Sequence, residues 1–392
     1  MVERKSIKKR ASVKGKTKIK KTVKTKSVTK KSTTKKKVVR KTTLKKPPLR
    51  KKLTPLDLKK PKHNPIIEPR EDAPWESKAT FNPTAFTHND DVHIFYRAIG
   101  DNDMSVLGYA LSRDGVNIEE RFPAHAFLHE VGKKRRKGRS PISYSSGGGW
   151  GGGCEDPRAT KIDDTAYVLY TAFDGWGSVR IALTSIHVDD LENRKWEWQE
   201  PTYISKPGEI HKNWVLFPEK IQGKYAILHA ISPKIRIHYA DSMDEFDGQT
   251  FIESISREER EHEVRSKGIR GVGPAPIKTK YGWLVLYHAI EDTDPGKYKL
   301  WALLLDPENP EEVLFRSARP ILEPDEEYEN SGFKWGVVYS CGAIVKDGTL
   351  FVYYGGADKV SCVATADLNK FLNELMKTST AKLRRRRILA NK

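Results

Sequence analysis

At 392 residues, with 37% hydrophobic and 9% aromatic side chains, the chain can bury a substantial core as one large all-β domain or two ordinary ones. Its formal charge of +20 is unevenly spread: residues 1–70 hold 28 Lys/Arg against 3 Asp/Glu, residues 382–392 add six cations, and residues 71–381 hold 37 basic against 48 acidic groups. The body is therefore acidic, which argues against a basic folded nucleic-acid module, and the wide spacing of Cys154, Cys341 and Cys362 argues against a disulfide framework or zinc site.

Residues 1–70 repeat Lys, Thr, Val and Ser with almost no aromatic residues, so they lack the apolar surface needed to offset the entropy of ordering. They are expected to be a disordered tail, able to hold nucleic acid, acidic glycan or a membrane surface by counterion release, or simply to solubilise the chain. No hydrophobic stretch follows these charges, so neither a secretory signal nor a membrane span is expected, and the reading is a soluble, cytoplasmic protein. The expected organisation is this tail, a catalytic domain over residues 71–378 and a basic extension over residues 379–392.

Beyond residue 71 the chain repeats itself. Five segments, 81–99, 157–173, 218–231, 274–290 and 341–357, share an apolar start, a polar turn and an alternating strand. A further alternating segment follows each one, at 107–112, 179–185, 236–242, 299–305 and 360–366, and reads as a third strand. Five such repeats predict an all-β, five-bladed β-propeller. Only DLNKFLNELMK (367–377) has a helical apolar period. Aligning the repeats places Arg97, Thr171, His229, His288 and Gly355 at equivalent positions, a polar ring at the expected funnel.

Two insertions interrupt the second repeat's approach: the basic run 133–139 and the glycine-rich run 147–153, which leads into Cys154-Glu155-Asp156-Pro157-Arg158. Acid catalysis at a glycosidic bond needs a pocketed carboxyl group with a raised pKa, and this stretch offers the most pointed candidate. Trp176, Trp214 and Trp335 are candidates for stacking on sugar faces or for core burial.

Over residues 75–370 the sequence resembles glycoside hydrolase family 130, through FNPTAF and YRA, GCEDPRATKIDDTAYVLYTAF, NWVLFPEKIQGKYAILH, GWLVLYHAI, and CGAIV with YYGGAD. The resemblance implies a five-bladed propeller that cleaves β-mannosidic bonds with inversion, mostly by inorganic phosphate. It makes Asp156 the general acid, Arg97, Arg158, Lys220 and His288 the phosphate site, and Asn82 and Asp358 hydrogen-bonding partners of substrate. No metal or organic cofactor is implied, with phosphate as co-substrate, and an oligomer is possible. One departure concerns the phosphate site: Ala230 follows Leu228-His229 where similar phosphorylases carry Arg, with Lys234 and Arg236 as nearby substitutes. An inverting β-mannoside hydrolase and a non-catalytic glycan-binding propeller are the alternatives.

Overall fold

The computed structural model describes residues 54–129, 151–175, 177–255 and 268–379. Residues 1–53 of the expected disordered tail, the basic run 133–139, Trp176 and most of the C-terminal extension lie outside them.

Alternating apolar residues separated by tight polar turns build five successive antiparallel meanders. The first comprises β1 (Ala79–His88), β2 (Asp91–Ile99), β3 (Met104–Ser112) and the short β4 (Glu120–Arg121). The second holds β5 (Gly152–Ile162), β6 (Thr165–Phe173) and β7 (Val179–His187), then a short helix α1 (Val188–Glu192) and β8 (Thr202–Tyr203). A parallel contact of Met104 and Ser105 with Gly152 and Gly153 joins these two meanders into one sheet. β9 (Val215–Leu216), β10 (Tyr225–Ala230) and β11 (Arg236–Ala240) form the third. The fourth contains β12 (Ile269–Val272), β13 (Ile277–Thr279), β14 (Gly282–Ala289), β15 (Lys299–Leu305) and β16 (Val313–Arg316). The last consists of β17 (Val338–Lys346), β18 (Thr349–Gly356) and β19 (Val360–Asp367), followed by helix α2 (Leu368–Thr378).

The protein is thus mostly β, and each expected third strand is present, in β3, β7, β11, β15 and β19. The sheets are separate and none closes on itself among the described residues. The first strand expected in the third repeat starts too late, because β9 ends at Leu216 before Pro218, which has no N–H to give a ladder. The helix expected at 367–377 is α2, capped by the Asp367 carboxylate, which accepts from the Lys370 N–H at 2.9 Å. Of the described helices, none is long and apolar enough to cross a membrane.

Five buried apolar clusters each lie between neighbouring meanders. Phe95 and Tyr109 pack with Val168 and Tyr170; Leu169 and Ile181 with Leu216 and Ile227; Val215 and Leu228 with Val285 and Leu303. Leu284 and Leu300 pack with Leu350 and Val352, and Ile94 and Tyr96 pack with Phe351 and Tyr353, so the last meander shares a core with the first.

The expected tail boundary at residue 70 is corrected by the structure. Leu56, Leu58 and Ile67 are buried, and the backbone of Lys59 and Ile67 pairs antiparallel with Thr365 and Ser361 on β19. The side chain of Lys60 pairs with Asp325 and Glu329, and Arg319 pairs with Asp57. Low aromatic content concealed three well-placed aliphatic residues and the free edge of β19 that receives them. At the end of the glycine run a Cβ on Gly153 would lie 2.2 Å from the Ser105 carbonyl oxygen, so the chain makes a close backbone contact there. All three cysteines are buried and free.

Acid stability follows from a buried histidine in the first meander. His93 stacks on Phe86 at 5.2 Å and shares a 2.9 Å hydrogen bond with the Tyr109 hydroxyl, and burial lowers its pKa from 6.5 to about 4, helped by the charges of His88 and Arg194. A folded-state pKa below the unfolded one means that the unfolded chain binds the proton more readily. This contribution is therefore complete above pH 6.5 and is lost as pH falls toward 4, in total about 3 kcal/mol. The melting temperature is expected to fall over that window, and His93→Gln to flatten the fall; equal slopes for both proteins would contradict this.

Candidate active site

Four of the meanders carry a β-bulge in their first strand, between Phe81 and Thr84, Glu155 and Arg158, Ile269 and Gly271, and Ser340 and Gly342. The first two are legible as Asn-Pro and Asp-Pro: Asn82 and Asp156 adopt φ of 50° and 52°, which Asn and Asp tolerate, and the prolines withdraw no donor a bulge would use. Arg97, Thr171 and His288 stand opposite residues at these bulges, pairing with Phe81, Glu155 and Gly271, and Gly355 pairs with Tyr339, one residue before the last bulge. Gly355 is required there, since a Cβ would lie 2.2 Å from Asn82 Oδ1.

The bulges bring Asp156 into a buried polar cluster. Its Oδ1 accepts from Asn82 Nδ2 at 2.8 Å and from Arg97 Nη1 at 3.1 Å. Arg97 also donates from Nη2 to Glu155 at 2.8 Å and from Nε to Ser105 at 3.0 Å, with its guanidinium 4.8 Å from the centre of the Phe81 ring. Arg158 donates to the Gly273 carbonyl and Asn213 Oδ1, each at 2.9 Å. The Asn213 amide oxygen in turn receives the Tyr339 hydroxyl at 2.6 Å. Tyr339 stacks face to face on His288, at 4.1 Å between ring centres.

The protonation states depart from the sequence expectation of a raised pKa on the acid. Burial alone would push Asp156 up, but Arg97, Lys212, Arg158 and the Asn82 hydrogen bond together bring it down to about 2. It is ionised in the unliganded site. Burial instead raises Glu155 and Asp358, and in both the Asp156 charge adds to the shift. His288 is depressed to about 3 by burial and by Arg158, so it is neutral and not a cation. Its Nε2 accepts the Ser340 N–H at 2.9 Å, which leaves the proton on Nδ1, a buried donor with no partner among the described residues. Among the described residues Asn82 Oδ1 and Thr171 Oγ1 likewise have no hydrogen-bond partner, which leaves a buried acceptor and a buried hydroxyl for a hydroxylated ligand.

The structure therefore brings together Asp156, Asn82, Arg97, Arg158 and His288, with Asp358 near enough to feel the charges of Asp156 and Arg97. Lys220 is not drawn in: it is exposed, with its ammonium 4.4 Å from the centre of the Tyr225 ring. Lys234 and Arg236 are exposed too, and Ala230 is buried. Sequence reasoning missed Lys212, whose ammonium lies 3.4 Å from Glu155, as well as Asn213 and Tyr339. The available signal was Lys212-Asn213 directly before β9, where Asn213 adopts φ of 67°. Trp214 is core, whereas Trp335 is 57% exposed beside Lys334, whose backbone N–H donates to the Ala357 carbonyl next to Asp358. Among the described residues no group of three or more His, Cys, Asp or Glu side chains is arranged to hold a metal.

A buried carboxylate held among cations on repeated β meanders, together with the family match that follows, places the protein among carbohydrate-active enzymes of mostly β architecture. The chain belongs to glycoside hydrolase family 130: the family's sequence model, described as beta-1,4-mannooligosaccharide phosphorylase, matches residues 57–377. It is 36% identical to the 1,2-beta-oligomannan phosphorylase of Thermoanaerobacter sp. (strain X514), over 80% of this chain and 98% of that one. A second protein of that strain, a beta-1,2-mannobiose phosphorylase, is 34% identical over 79% of this chain and 96% of its own. The structure of the beta-1,2-mannobiose phosphorylase from Listeria innocua, in complex with beta-1,2-mannobiose, shares the fold with a TM-score of 0.58 at 24% identity, covering 81% of this chain and 99% of that one.

Proposed function

We propose that this enzyme cleaves β-1,2-mannosidic bonds with inorganic phosphate, with inversion, releasing α-mannose 1-phosphate, on a five-bladed propeller. The propeller reading is supported by the five apolar cores, which link each meander to the next and the last to the first. The β-1,2 linkage is supported by the relatives at 36% and 34% identity, against 28% for the beta-1,4-mannooligosaccharide phosphorylase of Ruminococcus albus.

The observation that carries the reaction is the ion-paired Asp156. Phosphate is already anionic and attacks without a base, so one carboxylate suffices, provided cations receive the nucleophile. Arg97, Arg158 and Lys212, with the Nδ1–H of His288, form that cradle, and Lys212 supplies a cation where Ala230 provides none. Arriving phosphate offsets the cations that keep Asp156 ionised, which raises its pKa as the proton is needed. The proton balance closes: Asp156, ionised at the start, takes the hydrogen of the attacking hydrogen phosphate and delivers it to the departing oxygen, which leaves mannose 1-phosphate as the dianion and Asp156 ionised again. Asn82 and Asp358 hold hydroxyl groups of the sugar.

Incubation with β-1,2-mannobiose is expected to yield mannose 1-phosphate plus mannose, only when phosphate is present. Equal release of free mannose with and without phosphate would identify an inverting hydrolase instead, with a second buried carboxylate, Asp358 or Glu155, serving as base.

A further inference from the structure

We infer that Glu155 is a positioning residue that divides Arg97 and Lys212 between Asp156 and the incoming phosphate. The inference rests on the phosphorylase reading above.

Successive residues of a regular strand point to opposite faces, so Glu155 and Asp156 should not meet the same partner. The bulge between Glu155 and Arg158 removes that restriction. Arg97 then spans both carboxylates, one through each terminal nitrogen, at 2.8 Å and 3.1 Å. Its third nitrogen is fixed by Ser105 at 3.0 Å and its plane by Phe81, so it cannot turn to favour one carboxylate. The other oxygen of Glu155 lies 3.4 Å from Lys212. Glu155 is fully buried and is the carboxylate that ion-pairs with both cations. Its charge is thus placed to draw on the two groups that phosphate would use, and to leave Asp156 a smaller share of Arg97.

The charged and titratable groups facing Asp156 among the described residues are Arg97 on β2, Glu155 and Arg158 on β5, Lys212 before β9, His288 on β14, Tyr339 and Cys341 on β17 and Asp358 after β18. Glu155→Gln keeps the shape and can still accept from Arg97, but removes one negative charge. Two effects of opposite benefit follow. Phosphate is expected to bind about tenfold tighter, the change typical of one charge partner at this range. Asp156, no longer facing the Glu155 charge, holds its proton less tightly and is protonated in fewer molecules, so kcat falls and the alkaline limb of its pH profile moves to lower pH.

The test is calorimetric binding of inorganic phosphate to the full chain, with kcat for β-1,2-mannobiose phosphorolysis measured across pH, for wild type and Glu155→Gln. Tighter phosphate with a lower, acid-shifted kcat is the expected result. Phosphate affinity and kcat falling together at an unchanged profile would reduce Glu155 to scaffold and overturn the proposal, as would no change in either. Should Glu155→Gln melt below the assay temperature, Lys212→Met decides: it must weaken phosphate and move the alkaline limb to higher pH, and a stationary limb overturns the proposal. A wild type that neither binds phosphate nor releases mannose 1-phosphate would instead sink the phosphorylase reading itself.

Discussion

Asp156→Asn is expected to lower turnover of a β-mannobioside by about two to four orders of magnitude, the usual contribution of a positioned general acid. The amide retains the shape of the carboxylate and can accept from Arg97 and Asn82 through its oxygen, so the cluster at 2.8 Å and 3.1 Å should survive. It cannot deliver a proton. The KM for the mannoside should change far less than kcat, because Asn82 and Asp358 are untouched. A substrate with an acidic leaving group needs little protonation and should recover much of the lost rate. Near-native turnover on the natural bond would show that another group supplies the proton, and Glu155 or Asp358, both raised by burial, would then be the ones to replace.

The second large effect concerns residues 54–70, which form a strap along the edge of β19. Removing residues 1–53 is expected to leave the melting temperature nearly unchanged, whereas removing residues 1–70 should cost on the order of 5 kcal/mol. That figure follows from the buried side chains of Leu56, Leu58 and Ile67, each stabilising by about 1.5–3 kcal/mol when fully buried. Part of it is offset by the entropy of ordering the strap. Leu56 and Leu58 pack in the same cluster as Phe371, Leu372 and Leu375 of α2, so the longer deletion also uncovers the inner face of that helix. It further leaves β19 without its partner at Lys59 and Ile67, an unpaired edge open to association with other chains. Thermal melts of the two truncations decide the matter. Equal melting temperatures would mean that the strap adds nothing to the fold.

The repeats were legible because their signal is local. Period-two alternation and turn residues specify a hairpin whatever surrounds it, and so the third strands are legible in segments such as 107–112, 179–185 and 299–305. Asn82-Pro83 and Asp156-Pro157 are local signals of the same kind, since tolerance of positive φ and loss of a ladder donor are properties of single residues. The strap was missed because its three aliphatic residues carry no period; only the exposed edge of β19 and the floor beneath it give them a place. Lys212 and Lys220 stand eight positions apart as equivalent cations in composition, and the path of the chain into β9 sends one to Glu155 and leaves the other on the surface. Protonation states were the least legible of all. The sequence by itself determined which residue types the meanders and bulges would present, including the carboxylate at Asp156. Only the tertiary structure decided that Asp156 is ionised and His288 neutral, because a pKa is the balance of desolvation against every charge within a few ångströms, and those charges come from strands far apart in the chain.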